Sequence, residues 1–175
     1  MKDKKLERLS SASHVKQPNS KHCFVCGVEN ETGLSLKFFE IGEGRVAAEP
    51  CLPESYQGYP GIVHGGIVAS MLDEIAGRAA MIGDHNHFRF TAKLNIRYRR
   101  PVPVGETIRL EGWVVEDRGR LATAHAEIRL SDGSTAAEAE AVLADLPDAP
   151  DQEEVLAELG WKVYPEPGAE PGSEL

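Results

Sequence analysis

Hydrophobic and polar positions change period along this chain, and each change marks an element. "GLSLKFFEIGEGRVAAEPCL" (33–52) holds two short apolar runs around Gly42-Glu43-Gly44, a strand, turn, strand pattern. "PESYQGYPG" (53–61) reads as a loop. Beyond it, a step of roughly 100° per residue gathers Ile67, Val68, Met71, Leu72, Ile75, Ala79 and Ile82 on one broad face, which predicts a long helix buried against a sheet. From residue 88 the period falls to two. Phe90, Ala92, Leu94, Ile96 and Tyr98 alternate with Thr91, Lys93, Asn95, Arg97 and Arg99, as in a half-buried strand. Pro101 and Pro103 end it. Three more strands follow, turning at Asp117-Arg118-Gly119 and at Asp132-Gly133, the second a strong hairpin signal. The last strand, 134–146, is alanine-rich, yet the hairpin before it demands a partner. "PDQEEVLAELGW" (150–161), with an acidic first turn and Gly160 at its end, predicts a short surface helix.

Two strands, one long helix and four strands make an α+β layout in which an antiparallel sheet packs on, or wraps, a single helix. The 175 residues suit one domain. Residues 1–20, mixed and aperiodic, read as a flexible arm; 21–147 form the body; 148–175 supply the short helix and a tail. Hydrophobic content of 41% with 27% charged residues is that of a globular protein. No apolar run reaches the ~20 residues of a membrane span, and no apolar core follows the charged start, so a cytoplasmic protein without a membrane partner is expected. A net charge of −9 argues against nucleic acid as a partner. Three cysteines, an odd number, suit a reducing compartment. His22, Cys23 and Cys26, with Cys51 farther on, offer enough donors for zinc, but the spacing lacks a regular second pair. Ordinary packing without metal is the expectation.

The helix carries two oddities. Opposite its large apolar face stand Gly66, Ala69, Ala76, Gly77 and Ala80, with Asp73 as the only ionisable group among them. A carboxylate there is costly to bury for stability alone, which makes it a candidate for chemistry. Glu74, by contrast, has Arg78 four residues on, an ordinary surface pair contributing a few tenths of a kcal/mol. The second oddity is the start, His64-Gly65-Gly66. The first N–H groups of a helix lack intrahelical acceptors, and glycine lets a ligand approach them, so this end suits a developing oxyanion.

"YQGYPGIVHGGIVASMLDE" followed by "TAKLNIRYRRPVPVGE", with "CFVCGVENETGLSL" before them, resembles the PaaI-type hotdog-fold acyl-CoA thioesterases over about residues 22–146. The resemblance implies a hotdog fold, an antiparallel sheet wrapped around one long central helix, in a homodimer or homotetramer with the active site at a dimer interface. It implies Asp73 as general base or nucleophile, the Gly65 N–H as oxyanion donor, His64 shaping that site, Thr91 positioning water or the carboxylate, and Gln57 near the carbonyl. Strict alternation puts Thr91 on the polar side with Asn95, so a meeting with Asp73 needs a local bend or a contact across the dimer. Gly66, Asn95, Arg97, Arg99, Arg118 and Arg120 are candidate substrate contacts; Arg100 stands beside them, and arginine suits the phosphates of CoA. The resemblance implies acyl-CoA as the substrate and calls for no cofactor.

Three other functions compete, one of them zinc-dependent chemistry through Cys23, Cys26 and Cys51. A hotdog hydratase or dehydratase usually pairs Asp and His a few residues apart, whereas His64 and Asp73 are more than two turns apart. An acyl-CoA sensor normally carries an added DNA-binding segment, for which residues 1–20 are too short.

Overall fold

The computed structural model describes residues 9–11, 13–146 and 152–165. In chain order it contains β1 (Val15–Lys16), β2 (Phe39–Gly42), β3 (Arg45–Ala48), a 3-10 turn (Glu54–Tyr56), β4 (Gln57–Tyr59), β5 (Ile62–Val63), α1 (Gly65–Ala79), β6 (Arg89–Tyr98), β7 (Arg109–Asp117), β8 (Leu121–Arg129), β9 (Thr135–Asp145) and α2 (Gln152–Leu159). The expected frame of two strands, a helix and four strands is present. The segment read as a loop before the helix holds the small hairpin β4–β5.

One antiparallel sheet runs in the order β1-β2-β3-β7-β8-β9-β6, so β6 is an edge strand. Helix α1 lies across it against β3, β6, β7, β8 and β9. Val68, Met71, Leu72, Ile75 and Ala79 form the buried stripe, recurring at the three- and four-residue steps of a helix face. The sheet meets them with small side chains: Ala122, Ala124 and Ala126 on β8, and Ala137, Ala139 and Ala141 on β9, are all buried. Their period of two makes β9 a strand despite its alanines. Gly112 on β7 shows how close the layers come, because a Cβ there would stand 2.6 Å from the Ile75 carbonyl oxygen.

Four expectations need correction. Val15–Lys16 pairs with β2, and Gln17, Asn19 and Ser20 are buried, so this part of the presumed arm belongs to the body. Asn19 Nδ2 donates to the Cys26 and Leu36 carbonyls at 2.6 and 2.8 Å. Polar side chains that satisfy buried backbone leave no hydrophobic period to read. Residues 1–8 and 12 lie outside the described residues. The segment after α2 is also packed: Trp161 Nε1 donates to the His85 carbonyl at 3.0 Å, and its ring meets Phe88 edge-on. Ala76, placed opposite the large apolar face of α1, is fully buried in the same core. Finally, the Glu74–Arg78 pair is no surface pair: at 2.9 Å it joins a guanidinium only 2% exposed, stacked near Phe38 and Trp161 and donating to the Pro18 carbonyl.

Candidate active site

His64 caps α1. Its backbone N–H donates to the Tyr56 carbonyl at 2.9 Å, which ties the helix start to the 3-10 turn. Gly58 on β4 makes room for it, since a Cβ there would come within 3.1 Å of His64 Cα. The ring Nδ1 accepts from the Gly66 N–H at 3.0 Å. That nitrogen is thus the acceptor, and in a neutral ring the proton sits on Nε2. Gly65 occupies the first helical position, where the N–H has no intrahelical acceptor and the helix dipole is positive. Its carbonyl accepts from the Tyr98 hydroxyl at 2.9 Å. His64, Gly65 and Gly66 are exposed, and the first two border a groove of ≈ 480 Å³ with Tyr59, Val68, Tyr98, Arg99 and Arg100.

Asp73 is half-buried near the middle of α1. Its neighbours one turn away on the helix, Ala69, Ser70, Ala76 and Gly77, are small and uncharged. Among the described residues no basic group pairs with it. The Thr91 hydroxyl donates to Asp73 Oδ1 at 2.7 Å within the same chain. The local bend that this contact requires is a β-bulge: β6 slips register against β9 between Thr91 and Lys93. An extra residue reverses inside and outside beyond it. Thr91 therefore shares the inner face with Leu94 and Ile96, while Phe90 and Ala92, expected inside, are exposed.

The candidate residues fall into separate groups. Gln57 stays with the helix start, on β4, where its Oε1 accepts from the Gly61 N–H at 3.3 Å. Asp73 and Thr91 form the second group. Eight residues at 1.5 Å each put Gly65 and Asp73 about 12 Å apart along the helix. Asn95 and Arg97 are exposed and alternate with the inward Leu94 and Ile96, so they face away from α1. Arg99 pairs with Glu138, and Arg100 reaches Asp132 at 3.2 Å and Ser134 at 3.0 Å. Arg118, paired with Glu116 at 2.9 Å, and Arg120 belong to the β7–β8 turn. That turn lies by the start of β6, as the 3.1 Å contact from Arg89 to Asp117 marks. Nine steps of about 3.3 Å along β6 keep its two ends roughly 30 Å apart, so the two arginine groups cannot form one phosphate site in one chain. Tyr98, read from the alternation only as an apolar strand position, was missed as a partner of Gly65. Its hydroxyl at the helix end of an inward-facing row was the available signal.

The cysteines also separate. Cys23, Cys26 and Glu74 each place a donor atom within 4.8 Å of the others. His22 and Cys51 are exposed and outside this cluster, and Cys51 bridges to Thr107. Three donors are one fewer than a closed structural zinc site uses.

Residues 60–137 match the thioesterase superfamily. They belong to a thioesterase-superfamily domain. The match spans His64, Gly65, Asp73 and Thr91, with Gln57 and both clustered cysteines upstream of it. An acyl-coenzyme A thioesterase, THEM4 of Rattus norvegicus, is 30% identical over 138 residues, covering 77% of this chain and 54% of the relative. The chain thus spans about half the length of that relative. The crystal structure of protein RHA08564, a thioesterase superfamily protein, superposes with a TM-score of 0.67 at 34% identity, covering 71% of this chain and 61% of that one. The PaaI protein of the E. coli phenylacetic acid degradation operon matches at a TM-score of 0.59 and 17% identity, over 65% of this chain and 81% of its own. The thioesterase domain has the hotdog fold, its sheet wrapped on α1. No helix among the described residues is long and apolar enough to cross a membrane.

Proposed function

We propose that this chain hydrolyses acyl-CoA thioesters to a free acid and CoA. The observation that carries the reading is the half-buried Asp73, held by Thr91 at 2.7 Å on an otherwise neutral helix flank. A carboxylate fixed in this way can take a proton from water or attack the thioester carbonyl itself. The exposed Gly65 N–H at the positive end of a helix is suited to the oxyanion that either route creates. About 12 Å separates the two groups in one chain, so one thioester cannot touch both. Pairing with a second copy resolves this: Gly65 from one protomer meets Asp73 from its partner, in a homodimer or a tetramer built of such dimers. His64 fixes the glycine loop and Gln57 approaches the carbonyl from β4. Arg99 and Arg100 border the same groove as Gly65, which supports them over Arg97, Arg118 and Arg120 as contacts for CoA phosphates.

Release of free CoA thiol is the direct test, across short, long and aromatic acyl-CoAs. At least one class is expected to be hydrolysed, and Asp73→Asn and Asp73→Ala should lose about 10²–10⁴-fold in kcat. Binding without turnover, or full activity in Asp73→Asn, would refute the reading. Hydration of an enoyl-CoA with no thiol released would replace it with lyase chemistry.

A further inference from the structure

The cysteine cluster lies outside the chemistry above and does not depend on it. Residues 24–26 form a tight turn, closed by the Gly27 N–H donating to the Cys23 carbonyl at 2.9 Å. Gly27 permits the closure, since a Cβ there would lie 2.3 Å from that carbonyl oxygen. Cys23 and Cys26 stand three residues apart within this turn, a spacing that brings their Cα atoms within about 7 Å, near the range a disulfide spans. Both sulfurs lie within 4.8 Å of each other and of Glu74. The Val25 and Cys26 N–H groups both donate to Cys23 Sγ, at 3.3 and 3.4 Å. Two donors on one sulfur favour its thiolate, and they oppose the contact at 3.8 Å in which the Cys23 thiol donates to Glu74 Oε2. Cys23 is half-exposed, while Cys26 is 2% exposed and rests against the Ser20 hydroxyl at 3.5 Å.

We propose that Cys23 and Cys26 are a reactive dithiol that exchanges with low-molecular-weight disulfides and closes to an intramolecular disulfide, Cys23 attacking and Cys26 resolving. In the first step the Cys23 thiolate bonds to one sulfur of the small disulfide and expels the other half as a thiolate. In the second, Cys26 gives up its proton to that thiolate and attacks Cys23 Sγ, expelling the remaining half. Counting the proton lost when Cys23 ionises, the protein loses two protons and two electrons, and the small disulfide that accepts them becomes two thiols. Division of labour between the sulfurs follows from their surroundings. A hydrogen bond from Cys26 lowers Cys23 to about 6 despite partial burial and the nearby Glu74. The same hydrogen bond, together with burial, raises Cys26. A thiophilic divalent cation is the competing occupant, but one Glu74 oxygen is already taken by Arg78 at 2.9 Å and no fourth donor joins the cluster among the described residues.

The test treats the full chain with oxidised glutathione and maps cysteines by alkylation and peptide mass. The expected product is a Cys23–Cys26 disulfide with two glutathione thiols released. Cys26→Ser should stop with one glutathione on Cys23, and Cys23→Ser should leave Cys26 unmodified. Alkylation of Cys23 by iodoacetamide should rise through a midpoint near pH 6, against about 8.5 for a free cysteine. Wild-type protein alone can refute the idea, so a variant that fails to fold does not protect it. Glutathione on Cys51 with Cys23 and Cys26 still reduced overturns the proposal. So does one zinc per purified chain whose removal is what makes the two thiols reactive.

Discussion

At the scale of a residue, what distinguishes Asp73 is the company it lacks: among the described residues it has a threonine hydroxyl and no counter-charge. A hydrogen bond to a charged group contributes about 1.5–3 kcal/mol, comparable to a tenfold to hundredfold change in rate. Thr91→Val keeps the branched shape of the strand residue and deletes only the donor. It should lower kcat by about that factor, with KM within about twofold. A raised KM at unchanged kcat would mean that the hydroxyl serves substrate rather than the acid. Asp73 was legible in the sequence because a lone carboxylate among alanine and glycine has no stabilising explanation. Thr91 was not, by pattern alone: alternation put it on the wrong face, and a bulge leaves no mark in a period-two reading. Only the resemblance singled it out. The burial of Arg78 was equally hidden, since an i,i+4 partner looks the same on a surface as under Trp161.

At the scale of an element, the position of Thr91 depends on how the start of β6 is anchored. Arg89 donates to Asp117 at 3.1 Å, Asp145 at 3.3 Å and the Gly119 carbonyl at 2.9 Å, so it ties β6 to the β7–β8 turn and the end of β9. His87 meets Asp145 at 2.8 Å. Both carboxylates are held below their ordinary range, Asp117 chiefly by the Gly119 N–H and Asp145 chiefly by the hydrogen bond with His87, with Arg89 adding to each. A depressed carboxylate contributes stability above its unfolded pKa of about 3.9 and loses it as pH falls through the lower folded value. Melting temperature should therefore drop between pH 5 and pH 3. In Arg89→Met that drop should be shallower, from a lower starting point, because the variant removes a cation that favours both ionised carboxylates. The variant should also lose activity as Thr91 loosens. An unchanged pH dependence would show that the anchor carries no charge linkage. The order of elements could be read from the sequence because their periods differ so sharply. This anchor could not, because its members are separated by up to 58 residues.

At the scale of the whole molecule, the proposed chemistry requires that one protomer hold two half-sites. The edge strand β6 is ten residues long and, among the described residues, unpaired on its outer side, with Phe90 42% and Tyr98 53% exposed along it. An edge of that length is a template for pairing with another strand. Two protomers joined there by a two-fold axis would present each helix start to the other's flank, and the composition of the site can then be tested by mixing defects. Asp73→Asn removes the acid. Gly65→Val obstructs the helix start, and the fold should tolerate it because the nearest atoms to an added Cβ, those of Tyr98, stand at ordinary contact distance, 3.8 Å. Each variant alone should be inactive. After subunit exchange in equal amounts, half the dimers carry both defects in different protomers, and each of these retains one site with Gly65 from one chain and Asp73 from the other. Activity should recover to about a quarter of the wild-type value. Differentially tagged protomers establish that exchange has occurred, and if mixed dimers then form without any recovery, Gly65 and Asp73 do not act on the same thioester across the interface.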